Sequence, residues 1–127
     1  MRVFKHIFIA CTVVASAATY ASGEDTYKAV CANCHSKVVA NAPQLGDTTK
    51  WALLIAEGQV IITAHGYVGV RAMPAKGGKH DLSVEGFSEA LNYMVNQSGG
   101  QWKRPDSKMM AAIRAEIEAR QKLNASK

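Results

Sequence analysis

Two cysteines and a histidine lie close together in the sequence, as Cys31-Ala-Asn-Cys34-His35. On a helical turn, this spacing lets both thiols bond the vinyl groups on one edge of a haem, with the adjacent imidazole under the iron. A thioredoxin-like dithiol would need a preceding strand and a βαβ frame, and a zinc site would need a second pair of ligands. The motif therefore predicts one covalent haem c, attached through Cys31 and Cys34, with His35 as an iron ligand.

A second iron ligand has to come from elsewhere in the chain. The side chains that could supply it are those of His65, His80, Met73, Met94, Met109 and Met110. Met73 is favoured because it precedes Pro74 in a stretch with several glycines, where the backbone is extended and can approach a flat cofactor. A thioether ligand favours ferrous iron and raises the reduction potential. His80 is the alternative, because the other methionines are explained by packing and His65 is typical of a surface histidine.

Capping residues and apolar periodicity indicate an all-α chain. Asp47 is a favourable N-cap, and Gly58 is typical of a helix C-terminus. Phe87, Leu91 and Met94 fall on one face of a helix. Helices are predicted over residues 24–32, 48–57, 60–65, 83–97 and 106–123, with a turn at 66–69. The β-branched run at residues 60–62 would favour a strand by propensity alone, and no other strand is indicated.

The first 21 residues have the features of a secretory signal. Arg2 and Lys5 precede a short apolar run over residues 7–18, and Thr19-Tyr20-Ala21 is an acceptable cleavage site. The run is short for a bilayer span, so an uncleaved N-terminal anchor is the less favoured alternative. Cys11 would be removed with this segment. We therefore expect a periplasmic protein whose mature chain begins at residue 22.

Charge is distributed unevenly over the mature chain. Residues 22–100 contain six Lys or Arg against seven Asp or Glu, whereas residues 101–127 contain seven against three. The Gly99-Gly100 pair and Pro105 separate the two parts. We assign residues 22–100 to the haem domain and residues 101–127 to a basic helical extension. The basic residues lack the clustering and aromatic interleaving of a nucleic-acid site, so no nucleic acid is expected as a partner.

The extension has a narrow apolar stripe that contains Met110, Ile113 and Ile117. An isolated helix of this length is marginal in water, so these side chains should be buried against another surface. The surface of the haem domain, with Trp102 as a pin, is slightly favoured over a partner subunit or an anionic membrane. The opposite charges at i,i+4 that favour this helix are Arg114–Glu118, Glu116–Arg120 and Glu118–Lys122.

Several motifs follow one another in an order that is known from a protein family. They are Tyr27-x-x-x-Cys31-x-x-Cys34-His35, Ala42-Pro43-Gln44-Leu45-Gly46-Asp47, Trp51, Met73-Pro74-x-Lys76-Gly77-Gly78, Leu82-Ser83 and Tyr93-Met94. This order, over about residues 24–98, resembles class I cytochromes c and is most similar to the small bacterial cytochrome c5 group. The resemblance implies about four helices wrapped around haem, with His35 and Met73 as axial ligands. It also implies that the Pro43 carbonyl accepts a hydrogen bond from His35 Nδ1–H, and that Trp51 packs near the haem or its propionates.

The chain departs from the family pattern at three positions. Lys79 and Leu82 stand where many relatives have a cysteine pair, and Leu54 stands where an arginine often meets a propionate. Trp51 Nε1 and Lys50 are then the candidate propionate partners. The extension over residues 101–127 lies outside the pattern altogether.

With both axial positions filled, the iron has no free position for a substrate. We therefore expect an electron carrier, not an enzyme, that cycles its iron between the ferric and ferrous states. A dedicated electron-transfer subunit of a larger dehydrogenase or oxidase is the alternative, and a ligand-binding haem sensor or enzyme is a weaker one. The partners should be redox proteins that form transient complexes with a monomer. The lysines that flank the haem motif and could steer docking are Lys28, Lys37, Lys76 and Lys79.

Overall fold

The computed structural model describes residues 21–36, 39 and 41–127. Residues 1–20 of the predicted secretory signal, which include Cys11, and the candidate docking residue Lys37 lie outside this part. Five helices are present in it. Helix α1 has three consecutive pieces: the α-helical Gly23–Thr26, a π-helical turn Tyr27–Cys31 and the α-helical Ala32–His35. The elements that follow it are α2 (Thr48–Glu57), α3 (Gln59–Val68), a 3₁₀ turn (Ala75–Gly78), α4 (Val84–Asn96) and α5 (Ser107–Ala125). The predicted all-α class is confirmed, with one isolated bridge between Val70 and Met73.

Helix α1 is fixed against α4 at a close crossing. Its first turn is closed by a capping box, in which Ser22 Oγ accepts from the Asp25 N–H at 3.2 Å and the Asp25 carboxylate accepts from the Ser22 N–H at 3.3 Å. A Cβ on Gly23 would lie 2.7 Å from the carbonyl carbon of Glu89, so only glycine permits the two backbones to approach this closely. The crossing holds the helix that carries Cys31, Cys34 and His35 in one orientation.

Helix α2 begins and ends where the sequence predicts. The Asp47 side chain accepts a hydrogen bond from the Lys50 N–H at 3.1 Å, which satisfies one of the free donors of the first turn. Gly58 has a φ of +97°, a conformation that stops α2 and lets α3 start at once in a new direction.

Helix α3 is longer than predicted, because it continues to Val68 and does not stop at residue 65. The predicted turn at residues 66–69 is wrong: Gly66 lies inside the helix and is buried. A Cβ on Gly66 would lie 2.7 Å from Cζ of Phe87, so this glycine permits close packing and does not mark a turn. The helix ends one turn later at Gly69, whose φ is +97°. The β-branched residues 60–62 are helical and form no strand.

The main core joins α1, α2, α3 and α4. Its buried side chains include Tyr27, Trp51, Ile62, Phe87, Leu91, Met94 and Val95. The predicted apolar face of α4 is thus confirmed, and the rings of Tyr27 and Tyr93 pack at a centroid distance of 5.5 Å.

Helix α5 packs against the protein's own surface, on α3 and the start of α4. Ile113 is fully buried and Ile117 is 6% exposed, and both contact a second apolar cluster with Ala64 and Val84. The predicted pin is also present: the Trp102 side chain packs against the main core, its backbone N–H donates to Asn96 Oδ1 at 2.7 Å, and Asn96 Nδ2 donates to its carbonyl at 2.9 Å. None of the helices in the described ranges is both long and apolar enough to cross a membrane.

Four of the seven basic side chains of the extension form ion pairs within the protein. Arg104 pairs with Glu89, and Arg114 pairs with Glu85, so two arginines of the extension reach α4. The predicted pair of Arg114 with Glu118 is therefore wrong, since a carboxylate from another helix lies within reach. The other two predicted pairs are present, Arg120–Glu116 at 2.8 Å and Lys122–Glu118 at 2.7 Å.

Candidate haem-binding site

The last turns of α1 present the two cysteines and His35. Cys31 is 7% exposed and His35 8%, whereas Cys34 is exposed. Burial and the neighbouring Cys34 raise the pKa of the Cys31 thiol to about 11. A redox-active dithiol needs a thiol pKa that is lowered and not raised. The surroundings of Cys31 are therefore not those of a reactive thiol.

The imidazole of His35 is held by the loop that precedes α2. His35 Nδ1 lies 2.7 Å from the carbonyl oxygen of Pro43. Because a carbonyl only accepts, Nδ1 carries the proton, and the lone pair of a neutral ring is then on Nε2. The same loop is tied to the end of α1 by the Leu45 N–H, which donates to the His35 carbonyl at 2.7 Å. This arrangement is the one expected of a histidine that binds a metal through Nε2.

Trp51 holds this loop in place by a hydrogen bond to its backbone. Its side chain is 2% exposed, and its Nε1–H donates to the Gln44 carbonyl at 2.9 Å. Trp51 Nε1, one of the two candidate propionate partners, therefore has a backbone acceptor. Sequence reasoning missed the role of Gln44, whose Nε2 also donates to the Cys34 carbonyl at 3.3 Å. Lys50, the other candidate donor, is exposed in the first turn of α2.

Met73 lies in a tight loop between α3 and α4. The loop is closed by two backbone hydrogen bonds between Val70 and Met73, of 2.9 and 3.1 Å. The Met73 side chain is partly buried against the main core. Farther along, the 3₁₀ turn contacts the π-helical turn of α1, and a Cβ on Gly77 would lie 3.2 Å from Val30 Cγ1. The loop that carries Met73 is thereby brought to the helix that carries the haem motif.

The other candidate ligands lie in different surroundings. His65 Nδ1 lies 3.7 Å from a Glu57 carboxylate oxygen, and the His80 side chain is on an exposed part of the loop. Met94 is 4% exposed within the main core. Met109 and Met110 pack in the apolar cluster under α5, on the side of α3 where the extension lies.

Two of the described lysines near the motif are already paired with acids. Lys28 Nζ lies 2.7 Å from a Glu24 oxygen, and Lys79 Nζ lies 2.8 Å from an Asp81 oxygen. Lys76 differs, because its Nζ donates to the His80 carbonyl at 2.9 Å and lies 5.0 Å from the centroid of the Tyr67 ring. Their positive charges are therefore partly compensated within the protein.

The residues present fit a covalently bound haem. Two thiols at the required spacing precede an imidazole that is buried and oriented through Nδ1. A thioether lies on a loop that packs against the same helix. These donors, a nitrogen and a soft sulfur, are those of low-spin electron-transfer haems.

Comparison with known proteins identifies the family. Residues 18–94 match the sequence model of the family described as cytochrome c oxidase, cbb3-type, subunit III. Cytochrome c-555 of Chlorobaculum thiosulfatiphilum is 43% identical over 82 residues, which cover 61% of this chain and 95% of that protein. Cytochrome c5 of Azotobacter vinelandii is 33% identical over 75 residues, which cover 58% and 90% of the two chains. A solved structure, described as an electron transfer complex of nitrite reductase with cytochrome c, aligns with a TM-score of 0.57 and 37% identity over 60% of this chain and 93% of that one.

These findings confirm the resemblance to class I cytochromes c and the small helical fold that it implies. They also support a role in carrying electrons, since the relatives are cytochromes c and the solved neighbour belongs to an electron transfer complex. Family membership implies covalently bound haem c with its iron, and Cys31 and Cys34 have the spacing that this attachment requires. The chain belongs to the c-type cytochromes, in the family described as cytochrome c oxidase, cbb3-type, subunit III.

Proposed function

We propose that this protein is a periplasmic electron carrier with one six-coordinate haem c, whose axial ligands are His35 and Met73. The observation that carries the proposal is the 2.7 Å hydrogen bond between His35 Nδ1 and the Pro43 carbonyl, directly after Cys34. When bound, the haem supplies a one-electron couple at its iron. The chain supplies the attachment, the ligands and the exclusion of water.

His35 acts as the proximal ligand through Nε2. The Pro43 carbonyl accepts the Nδ1 proton, which fixes the tautomer and the ring plane and makes Nε2 a stronger donor. Pro43 thus binds no metal but orients the residue that does. Trp51 has a related role one step farther away, because its Nε1–H holds the Gln44 carbonyl next to Pro43.

Met73 acts as the second ligand because its loop reaches α1, through Gly77 and Val30. A thioether is neutral and soft, so it stabilises the ferrous state more than an imidazole does. His80, the alternative ligand, has an exposed side chain, and its carbonyl is engaged by Lys76. Met73, by contrast, has a side chain that is partly buried against the main core.

Two protein ligands would leave no open position at the metal, which would suit electron transfer and not catalysis. A ligand-binding sensor or an enzyme would need Met73 to dissociate. The partners are then donor and acceptor redox proteins that dock transiently, and the protein works as a monomer.

A dedicated electron-transfer subunit of a larger oxidase or dehydrogenase is the second candidate. The family description, which names an oxidase subunit, favours it. The packing of α5 against α3 speaks against the extension as a free docking element, because Ile113 and Ile117 are already buried. Isolation of the native protein under mild conditions separates the two functions: a stoichiometric membrane-bound partner supports the subunit, and a monomer supports the carrier.

Export to the periplasm is proposed from the sequence. The charged start, the short apolar run and Thr19-Tyr20-Ala21 support a cleaved signal. N-terminal sequencing of the native protein should find a chain that starts at Ser22. An intact N-terminus in a membrane fraction would instead support the anchor.

Substitution of Met73 tests the axial assignment. Met73→Ala should abolish the red-region sulfur–iron charge-transfer band and let imidazole bind, and Met73→His should lower the reduction potential because imidazole favours ferric iron. Met110→Leu, which changes a methionine in the cluster under α5, is the matched control and should keep the band. A band that survives Met73→Ala would exclude Met73 as the ligand.

A further inference from the structure

The loop that carries Met73 connects α3 to α4 and is held at both ends. It leaves α3 at Gly69, whose N–H donates to the His65 carbonyl at 3.0 Å. At its other end, the Leu82 carbonyl accepts a hydrogen bond of 3.1 Å from the Tyr67 hydroxyl, one residue before the cap of α4. The geometry of the loop therefore depends on how the end of α3 is placed relative to the start of α4.

Helix α5 packs against both helices that flank this loop. Ile113 and Ile117 pack in one cluster with Ala64 of α3 and Val84 of α4, and Tyr67 and Val68 border that cluster. Arg114 adds an ion pair to Glu85 in the first turn of α4. Helix α5 thus packs against both the helix that precedes the Met73 loop and the helix that follows it.

The opposite face of α3 lies against Met73 itself. An ideal Cβ on Gly66 would lie 3.7 Å from Met73 Cε and 2.7 Å from Phe87 Cζ, so the α3 backbone touches the core at this point. Tyr67 packs against both clusters, the one with Phe87 and the one with Ile113. A shift of α3 would consequently change the position of the Met73 thioether.

We propose that the C-terminal extension is a clamp that holds the Met73 loop in its ligating position, with Ile113 and Ile117 as positioning residues. The inference rests on the proposed ligation by Met73. Loss of a buried isoleucine leaves a cavity that lets α3 and α4 move relative to each other. The population in which Met73 is dissociated then rises, and an external ligand binds more tightly by the same factor.

Imidazole binding to the ferric holoprotein at pH 7 tests the clamp. Ile113→Ala should lower the apparent dissociation constant for imidazole about tenfold, which corresponds to about 1.4 kcal/mol. Val95→Ala is the matched control, because Val95 is equally buried but lies at the opposite end of α4 from Val84, beside Gly100. Leu53→Ala, at an exposed aliphatic position of α2, should change neither stability nor binding. Should Ile113→Ala fail to fold, Ile113→Val is expected to give a smaller shift in the same direction.

The possible results separate the clamp from the assignment of Met73 as an axial ligand. Tighter imidazole binding in Ile113→Ala and not in Val95→Ala, at comparable losses of stability, supports the clamp. Unchanged binding in Ile113→Ala, or an equal change in Val95→Ala, overturns it while the axial assignment stands. If the charge-transfer band survives in Met73→Ala, the axial assignment fails first and the clamp falls with it.

Discussion

Gly66→Ala tests the close packing between α3 and the core. The new Cβ would lie 2.7 Å from Phe87 Cζ and 3.2 Å from Cε1, closer than a methyl group and a ring carbon can be. Phe87 is 4% exposed and has its ring edge-on to Tyr67 at 5.7 Å, so it has little room to move away. Overpacking of this kind costs about 1–3 kcal/mol. The higher helix propensity of alanine returns about 1 kcal/mol.

A second helical glycine provides the control for this substitution. At Gly86 a Cβ would meet Leu82 Cδ1 at 3.1 Å, the end of a partly exposed side chain that can rotate. Gly86→Ala should therefore be neutral or stabilising, and Gly66→Ala should be less stable than Gly86→Ala by about 1–3 kcal/mol. For a domain of this size, each kcal/mol corresponds to a shift of about 4–8 °C in the melting temperature.

Thermal unfolding of the two holoproteins, followed by circular dichroism, measures this difference. The smaller side chain in the double variant Gly66→Ala with Phe87→Leu should recover part of the loss caused by Gly66→Ala, which a double-mutant cycle would show as coupling. The charge-transfer band should persist, because the distance of 3.7 Å to Met73 Cε is an ordinary contact. A Gly66→Ala protein that is stabilised as much as Gly86→Ala would refute the close packing of α3 on Phe87.

Three further outcomes are expected. The intact mass should equal the mature chain plus one haem, and acid–acetone should leave the colour on the protein; extraction of free haem would contradict attachment through Cys31 and Cys34. Neutralising the four candidate docking lysines should slow electron transfer and flatten its salt dependence, and unchanged rates at low ionic strength would exclude electrostatic docking. Burial and the Arg120 guanidinium lower the pKa of His65, so stability should be full above about pH 6.5 and fall as the pH decreases through the unfolded-state pKa. His65→Gln should flatten that part of the stability curve, and an unaltered curve would show that another group titrates.

Local chemistry explains the parts of the fold that the sequence predicts correctly. Asp47, Ser83 and Asp106 each cap a helix with a side chain that accepts from a backbone N–H three residues on. Such caps depend on neighbours in sequence alone, so the starts of α2, α4 and α5 can be found without a structure. The haem motif is equally local, since all of its donors lie within five residues.

The errors arise where the environment or the partner of a residue is set by a neighbour from another part of the chain. Gly66 is typical of a turn by residue type, but its environment is the ring of Phe87, which is 21 positions away in sequence. Arg114 pairs with Glu85 of α4 and not with Glu118 on its own helix. Trp51 Nε1 donates to a backbone carbonyl that no side-chain pattern marks. Each of these contacts is set by tertiary packing, which a periodicity of apolar residues does not encode.

Truncation after Gly100 tests whether the extension is separable from the haem domain. The match with cytochrome c-555 covers 95% of that relative but only 61% of this chain, so that protein has no room for a counterpart of α5. We therefore expect residues 22–100 to fold and to keep the haem attached.

The truncated protein should nevertheless be much less stable. Burial of Ile113 and Ile117 alone contributes about 3–6 kcal/mol, part of which is offset by the ordering of α5. The ion pairs of Arg104 and Arg114 with α4 are exposed and add little. Guanidinium unfolding of the two forms measures the loss. Equal stability would show that α5 is held only weakly on α3 and is available to a partner, and failure of the truncated protein to attach haem would show that the extension belongs to the haem fold.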